Sequence, residues 1–191
     1  MRALALAALG VLAGCASGPP PADWQLNASA ALQMFQQHYL EGDTKLADIE
    51  FARAKEELRR TGRGDLLARA ELVRCAVRTA SLEFDDCPGF ERLRAAAGAE
   101  EMAYAEYLAG RGTRAASDDP ISQLVSSGVR LRTAKISPAQ IAAAVDLASA
   151  QGWRRPLLAW LGIQAKRADA AGDTEAAARL RRRMDMITGK N

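Results

Sequence analysis

The chain has 191 residues, with 26 Lys and Arg against 23 Asp and Glu and a formal net charge of +3 at pH 7. This length suits one domain with a sizeable core or an elongated stack of helices, and it argues against two independent domains. A charge excess this small gives no reason to expect nucleic acid or another strongly acidic partner.

The N-terminus has the pattern of an export signal. A short, weakly cationic start precedes an apolar run over residues 3–11, and small residues then lead to Cys15. The apolar run is too short to span a bilayer, which needs ~20 residues. We therefore predict that residues 1–14 are a cleaved signal peptide and that the mature chain starts at Cys15.

The motif Leu12-Ala13-Gly14-Cys15 resembles the lipobox of bacterial lipoproteins. The resemblance implies diacylglyceryl transfer to the Cys15 sulfur, cleavage before this residue and N-acylation, for example with palmitate. More than one acyl chain, at ~0.8 kcal/mol per buried CH₂, holds a protein stably on a bilayer. Ala16 stands where enteric bacteria place Asp for inner-membrane retention, which implies the periplasmic face of the outer membrane. An ordinary cleaved secretory signal is the alternative.

The next segment is predicted to be a spacer. Residues 15–26 combine the lipidated cysteine with a proline-rich tether, in which Pro19 to Pro21 favour extended polyproline geometry. Residues 27–191 are predicted to form a single all-helical domain, because Ala, Leu, Arg and Glu dominate and Gly or Pro appears mainly at joints. In chain order, the predicted helices cover about 27–40, 43–60, 65–81, 88–97, 99–109, a short stretch after Asp119-Pro120, 138–150, 156–171 and 173–187.

Cys75 and Cys87 are a candidate disulfide. With Cys15 committed to lipid, they are the two remaining cysteines of a chain predicted to face the oxidising periplasm. They are twelve residues apart, and the sequence holds a single histidine, His38, so a metal site has little support. Closing a loop of this length stabilises a fold by roughly 3 kcal/mol in the chain-entropy model. No metal or cofactor is predicted.

Residues 110–137 are predicted to be the longest irregular region. The alternation of Val129-Arg130-Leu131-Arg132 predicts a brief extended segment within it. Loops of this kind carry function more often than core.

The start of the helical region resembles a tetratricopeptide repeat. Gly42 is followed by Ala47, Phe51 and Ala54, the small-aromatic-small order that those repeats use where paired helices cross closely. The resemblance implies an all-α stack of antiparallel helical hairpins in a right-handed, tetratricopeptide-like arrangement. A second unit around Gly172 lacks the aromatic residue, and no strict period of about 34 residues connects the two.

In tetratricopeptide repeats the peptide-binding surface lies on the first helix of each hairpin. Here that face would offer Gln36 and Tyr39 as candidate partner-binding residues. It lacks the Lys and Asn residues that clamp a peptide carboxylate in some members, so the resemblance implies no ligand class. The whole chain also resembles Ala- and Arg-rich outer-membrane lipoproteins of Gram-negative bacteria.

A second candidate surface lies near the C-terminus. Trp160 falls outside the apolar stripe of its predicted helix, and Trp153, Arg154 and Arg155 stand just before it. These four residues are predicted to form either an exposed partner-binding patch or, alternatively, part of an internal helix that contacts neighbours on two sides.

The sequence shows no motif that signals catalysis. A catalytic base needs a nucleophile or acid within reach, and none is signalled near His38. The carboxylate pairs Asp85-Asp86 and Asp118-Asp119 both precede predicted helices, where acidic groups cap amides and meet the helix dipole. No catalytic residue is therefore predicted, and the protein is not expected to be an enzyme.

The sequence predicts an outer-membrane-anchored periplasmic lipoprotein. Its partners are the lipid bilayer, through acylated Cys15, and an envelope protein that the helical body binds as a non-catalytic assembly module. The alternative is a cell-wall enzyme or peptidoglycan accessory factor with an unrecognised site. A structural lipoprotein with no fixed partner is a third class.

Overall fold

The computed structural model describes residues 20–189. Within this range the chain forms nine α-helices, one 3₁₀ turn and no β-strand, which confirms the all-α class. None of these helices is long and apolar enough to cross a membrane. They are α1 (Asp23–Glu41), α2 (Thr44–Arg59), α3 (Gly64–Ala80), α4 (Pro88–Glu91), α5 (Ala99–Leu108), α6 (Pro120–Arg132), α7 (Pro138–Ala150), α8 (Arg154–Ala170) and α9 (Thr174–Thr188), with the 3₁₀ turn at Arg94–Ala96.

Side-chain caps set several of the predicted helix starts. Asp43 before α2 and Asp173 before α9 each accept a hydrogen bond from the amide three residues on, at 3.0 and 2.9 Å. At α7 the Ser137 hydroxyl accepts from the Gln140 amide, and the Gln140 side chain accepts from the Ser137 amide. These contacts satisfy amides that the first helical turn leaves without intrahelical partners.

The helical region begins earlier than predicted. The sequence predicts that residues 23–26 belong to the tether, yet they form the first turn of α1, where the Ala22 amide donates to the Gln25 side chain at 3.1 Å. Trp24 packs against the core, which favours this earlier start. The predicted signal peptide and the lipidation site Cys15 lie outside the described residues.

Two further local predictions are wrong. The extended segment at residues 129–132 is the end of α6, because Leu124, Val125 and Val129 form a buried stripe of helical period that outweighs a two-residue alternation. The single helix predicted for residues 88–97 is the short α4 followed by a 3₁₀ turn, since Leu93 leaves α-helical geometry.

The fold is organised around α3, which is buried on opposite sides. Ala70 and Val77 belong to a core cluster shared with α1 and α2, whereas Leu72 and Ala76 belong to a larger cluster shared with α5 to α8. Full burial of an aliphatic side chain stabilises a fold by roughly 1.5–3 kcal/mol relative to exposure. The helix therefore joins the two halves of the core.

Close approach of α6 to α3 depends on a glycine. A Cβ at Gly128 would overlap the carbonyl oxygen of Thr79 on α3. The absence of a side chain at this position lets the two helix backbones come together.

The α1–α2 hairpin buries the residues on which the tetratricopeptide resemblance depends. Ala47 and Ala54 are 0% exposed and Phe51 is 5% exposed. In an open solenoid each hairpin contacts only its neighbours, yet here α1 also packs on α8. An open solenoid has no such contact between helices that are far apart in the chain. The tetratricopeptide-like right-handed stack stays a prediction.

The disulfide pairs α3 with the start of α4. Cys75 and Cys87 are bonded, with their Cα atoms 5.7 Å apart, inside the usual range for disulfides. The predicted pairing is confirmed, and it fixes the loop that carries Asp85 and Asp86.

Candidate functional site

Trp160 is a core residue. It is 0% exposed, and its indole N–H donates to the Ala80 carbonyl at 3.1 Å. The exposed-anchor interpretation of this residue is therefore wrong, because a helix flanked by α7, α9 and α1 buries more than one face.

The sequence predicts Tyr39 and Arg155 as parts of two separate binding surfaces, one on the first helix and one near the C-terminus. In the fold these two residues contact each other. The guanidinium lies 4.2 Å from the centre of the Tyr39 ring and donates to the Tyr39 carbonyl at 2.7 Å. It also donates to the Thr44 hydroxyl at 2.6 Å and pairs with Glu83 at 3.2 Å. Burial and the neighbouring Glu83 carboxylate raise the pKa of Tyr39. Arg155 thus serves intramolecular contacts between α8 and the end of α1.

The other residues of those predicted surfaces do not complete an exposed patch. Trp153 is half-buried and contacts both core clusters. Gln36 is partly buried on α1, and Arg154 is exposed beside Gly42. A shallow depression of about 440 Å³ includes Arg154, Arg155 and Glu83 in its lining but neither Trp153 nor Gln36. Arg155 and Glu83 there contact each other.

A groove that the sequence did not predict lies on the face formed by α3, α5 and α6. It consists of three adjoining depressions of about 310, 400 and 370 Å³, all of which include Arg114. Tyr104 lines the first two, and Tyr107 lines the second and third. We call this surface the Arg114 groove.

The first end of the groove lies between α3 and α5. Leu72 and Val73 form its apolar part, and Tyr104 stands on the α5 side. The Glu101 carboxylate beneath accepts from Arg69 at 2.6 and 2.8 Å and from the Gly98 amide at 3.1 Å. These contacts lower the pKa of Glu101, chiefly through Arg69, and fix the start of α5 beside the groove.

The centre of the groove is aromatic. The Tyr104 and Tyr107 rings stack with centres 5.9 Å apart and planes inclined by 22°. The Arg114 guanidinium lies 4.6 Å from the centre of the Tyr104 ring, a cation–π contact that orients the loop between α5 and α6. Burial raises the pKa of Tyr104 to about 12, so this phenol stays neutral at physiological pH.

The second end of the groove, along α6, is rich in hydroxyl groups. Arg114 and Arg130 lie at this end, together with the side-chain amide of Gln123. Hydroxyls both donate and accept hydrogen bonds. The serines that line it are Ser117, Ser122, Ser126 and Ser127.

Among the described residues, the arginines that line the groove are Arg69, Arg114 and Arg130. Arg69 pairs with Glu101 and also with Glu100. Arg114 and Arg130 pair with no carboxylate among residues 20–189, although both line the hydroxyl-rich end. Arg114 and Arg130 therefore lie at the α6 end without an ion-pair partner among the described residues, and the Asp119 carboxylate at this end accepts from the Ser122 amide.

One cluster has donor atoms suited to a metal. Cys75, Cys87 and Asp85 place one ligand atom each within 4.8 Å of one another. The two sulfurs are bonded to each other, and Asp85 pairs with Arg78 at 3.2 Å and accepts from the Cys87 amide at 3.0 Å. Asp85 and the disulfide thus have structural roles in the loop before α4.

Sequence reasoning missed the Arg114 groove because its parts are far apart in the chain. The one available signal was the length of the loop before α6 together with the density of serine after Asp119. Neither indicates that Arg114 folds back onto Tyr104, which depends on how α6 packs against α3 and α5.

Comparisons of the chain with protein-family models, curated proteins and solved structures find no match. The lipobox and tetratricopeptide resemblances therefore stay predictions.

Proposed function

We propose that the protein is a bacterial lipoprotein whose acylated Cys15 attaches it to the periplasmic face of the outer membrane. Its helical body acts as a non-catalytic module that binds an extended polypeptide of the cell envelope in the Arg114 groove. The observation that carries the binding role is the convergence of three depressions on Arg114, with apolar, aromatic and hydroxyl-rich walls in succession.

The shape and chemistry of the groove favour a polypeptide over a compact ligand. Recognition of an extended chain uses pockets for side chains together with polar groups for the backbone. The groove offers Val73 and Tyr104 for apolar side chains, and the α6 serines for backbone amides and carbonyls.

A non-catalytic role is supported by the state of the buried carboxylates. Glu71 is 3% exposed and pairs with Lys55 at 2.6 Å, and Glu101 is held by Arg69. General acid–base catalysis requires a carboxyl group with its pKa moved toward the working pH, whereas the pKa of Glu101 is lowered. Both groups are better explained as structural ion pairs.

The envelope location is supported by the Leu12–Cys15 motif and by the disulfide. A disulfide persists in oxidising compartments and is rare in the bacterial cytosol. Incorporation of radiolabelled palmitate is expected for the natural chain and not for Cys15→Ala. Sedimentation of Cys15→Ala with the envelope fraction, unchanged from the natural chain, would contradict the lipid anchor.

Photocrosslinking in intact cells tests the binding role. A photoreactive phenylalanine analogue replaces Thr113 or Ala116 in the groove, and Ala170 on α8 serves as an exposed control position. The same polypeptide, identified by mass spectrometry, is expected from both groove positions and not from the control. Equal crosslinking from all three positions, or attachment to muropeptides from the groove, would contradict the proposal and favour a cell-wall accessory role.

A further inference from the structure

We propose that the α6 end of the Arg114 groove binds an acidic segment of an extended polypeptide, with Arg114 and Arg130 each holding a carboxylate. The inference rests on the proposed function, because it names the chemistry of the polypeptide bound in the same groove. The occupant is a stretch of acidic side chains in the middle of a polypeptide.

The α6 end of the groove is complementary in charge to an acidic ligand. Arg114 and Arg130 line one depression and pair with no carboxylate among the described residues, whereas Arg69 at the other end of the groove is paired with Glu101 and Glu100. A guanidinium has five N–H donors in a planar fork that matches a carboxylate. Two guanidinium groups in one depression can bind a ligand that has two carboxylates. Each such pair is charge-assisted and roughly twice as strong as a neutral hydrogen bond.

The Arg114 side chain is preorganised for binding. Arg114 lies on a loop, yet its guanidinium is held over the Tyr104 ring at 4.6 Å, and Tyr104 is itself stacked on Tyr107. Apart from this contact, the Arg114 guanidinium makes no hydrogen bond or ion pair among the described residues, so its N–H groups are available to a ligand. Part of the side-chain entropy that ligand binding would otherwise cost is therefore already lost in the free protein.

The polarity of the groove changes along its length. At the α3–α5 end Val73 and Tyr104 lie beside the Glu100 carboxylate, which contacts Arg69 at 3.4 Å, so the charges there are already paired. At the α6 end Arg114 and Arg130 have no carboxylate partner among the described residues, so carboxylates of a ligand are attracted there. The bound segment therefore has apolar residues over α3–α5 and acidic residues over α6.

Fluorescence anisotropy of defined peptides tests this assignment with the full-length lipidated protein in detergent. One labelled peptide has a Leu-Leu pair followed by a run of glutamates, and the second replaces the glutamates by glutamines. We expect the Glu peptide to bind at least roughly tenfold more tightly, and this advantage to shrink with added salt. Arg114→Gln combined with Arg130→Gln should remove the advantage and leave binding of the Gln peptide unchanged.

Arg167→Gln provides the matched control, since Arg167 is an exposed arginine of α8 outside the groove. Equal binding of the two peptides, absence of binding by either, or an equal loss of Glu-peptide affinity in Arg167→Gln would overturn the inference. None of these results alters the photocrosslinking test, so the polypeptide-binding function can stand while its acidic specificity fails. Co-sedimentation with purified peptidoglycan that depends on Arg114 and Arg130, without peptide binding, would overturn the polypeptide assignment itself.

Discussion

The indole N–H of Trp160 donates a hydrogen bond to the carbonyl oxygen of Ala80 at 3.1 Å. Ala80 is the last residue of α3, where helical carbonyls have no intrahelical partner. Trp160 is 0% exposed, so the bond is shielded from water. One side chain of α8 thus both fills the core and satisfies the end of the central helix.

Shortening Trp160 should therefore destabilise the whole fold. Trp160→Phe keeps an aromatic ring but leaves the Ala80 carbonyl buried without its donor, at a cost of about 1–3 kcal/mol. Trp160→Ala also leaves a cavity, and we expect a loss of about 3–5 kcal/mol with a broader unfolding transition. Urea unfolding monitored by circular dichroism measures the loss of stability in both variants. An unchanged midpoint for Trp160→Ala would contradict the core assignment.

Arg155 should be a stability determinant in spite of its partial exposure. Arg155→Ala removes donors to the Tyr39 carbonyl and the Thr44 hydroxyl, and we expect a loss of about 1–3 kcal/mol. Arg155→Lys should lose less stability than Arg155→Ala but should still be less stable than the natural chain, since an ammonium cannot reproduce the forked contacts of a guanidinium. Thermal melts should place Arg167→Ala within about 0.5 kcal/mol of the natural chain. A similarly small effect of Arg155→Ala would mean that the α1–α8 contact is not held by this residue.

Two glycine substitutions should have opposite effects. Gly128→Ala pushes a methyl group into the Thr79 carbonyl and should destabilise the fold by about 1–3 kcal/mol, because α6 must move away from α3. Gly162→Ala on α8 meets no atom within 4 Å, so it should stabilise the fold by about 1 kcal/mol through helix propensity. Chemical unfolding measures the free energy of unfolding of each variant against that of the natural chain. Equal changes in both variants would show that α6 does not approach α3 as described.

Acid should weaken the fold in part through Glu101. Arg69 lowers the pKa of this carboxyl below its ordinary value of 4.5, so the folded state binds the proton less readily than the unfolded state. The stabilisation is complete above that ordinary value and is lost as the pH falls through the lower value of the folded state. Glu101→Gln should have a smaller dependence of stability on pH in this range.

The exposed neighbour Glu100 provides the control for this pH dependence. Its side chain is 89% exposed, so Glu100→Gln should leave the acid profile close to that of the natural chain. Unfolding midpoints measured across the acid range compare the three proteins. Identical profiles for Glu101→Gln and the natural chain would show that the Arg69 contact has no part in acid stability.

The disulfide should stabilise the chain by closing a short loop. Cys75→Ala combined with Cys87→Ala should lower the free energy of unfolding by roughly 3 kcal/mol. Reductant should destabilise the natural chain by a similar amount and leave the double variant unaffected. Thiol titration after denaturation without reductant should detect neither cysteine, and two reactive thiols would show that the bond does not form.

Much of the fold could be predicted because its signals are local. The helix starts after Asp43, Ser137 and Asp173 depend on side chains that bond amides three residues away, so the sequence contains both partners. The end of α6 could not be predicted in this way. Residues 129–132 alternate as a strand does, and only the buried stripe facing α3 makes them helical.

The candidate site was the least predictable part. The sequence predicts Trp160 and Tyr39 as candidate binding residues. In the structure Trp160 is buried, and the Tyr39 ring is covered by Arg155. The Arg114 groove combines residues of α3, α5, α6 and the loop before α6. No local pattern marks such a surface, because its parts meet only after the helices have packed.

Composition and residues close together in the chain are enough to predict the helical class, most helix starts and the pairing of Cys75 with Cys87. The central place of α3, the burial of Trp160 and the position of Arg114 beside Arg130, with no carboxylate partner among residues 20–189, depend on tertiary packing. Burial and charge pairing are properties of distant neighbours, and helical periodicity specifies which face of a helix is apolar without specifying what covers it.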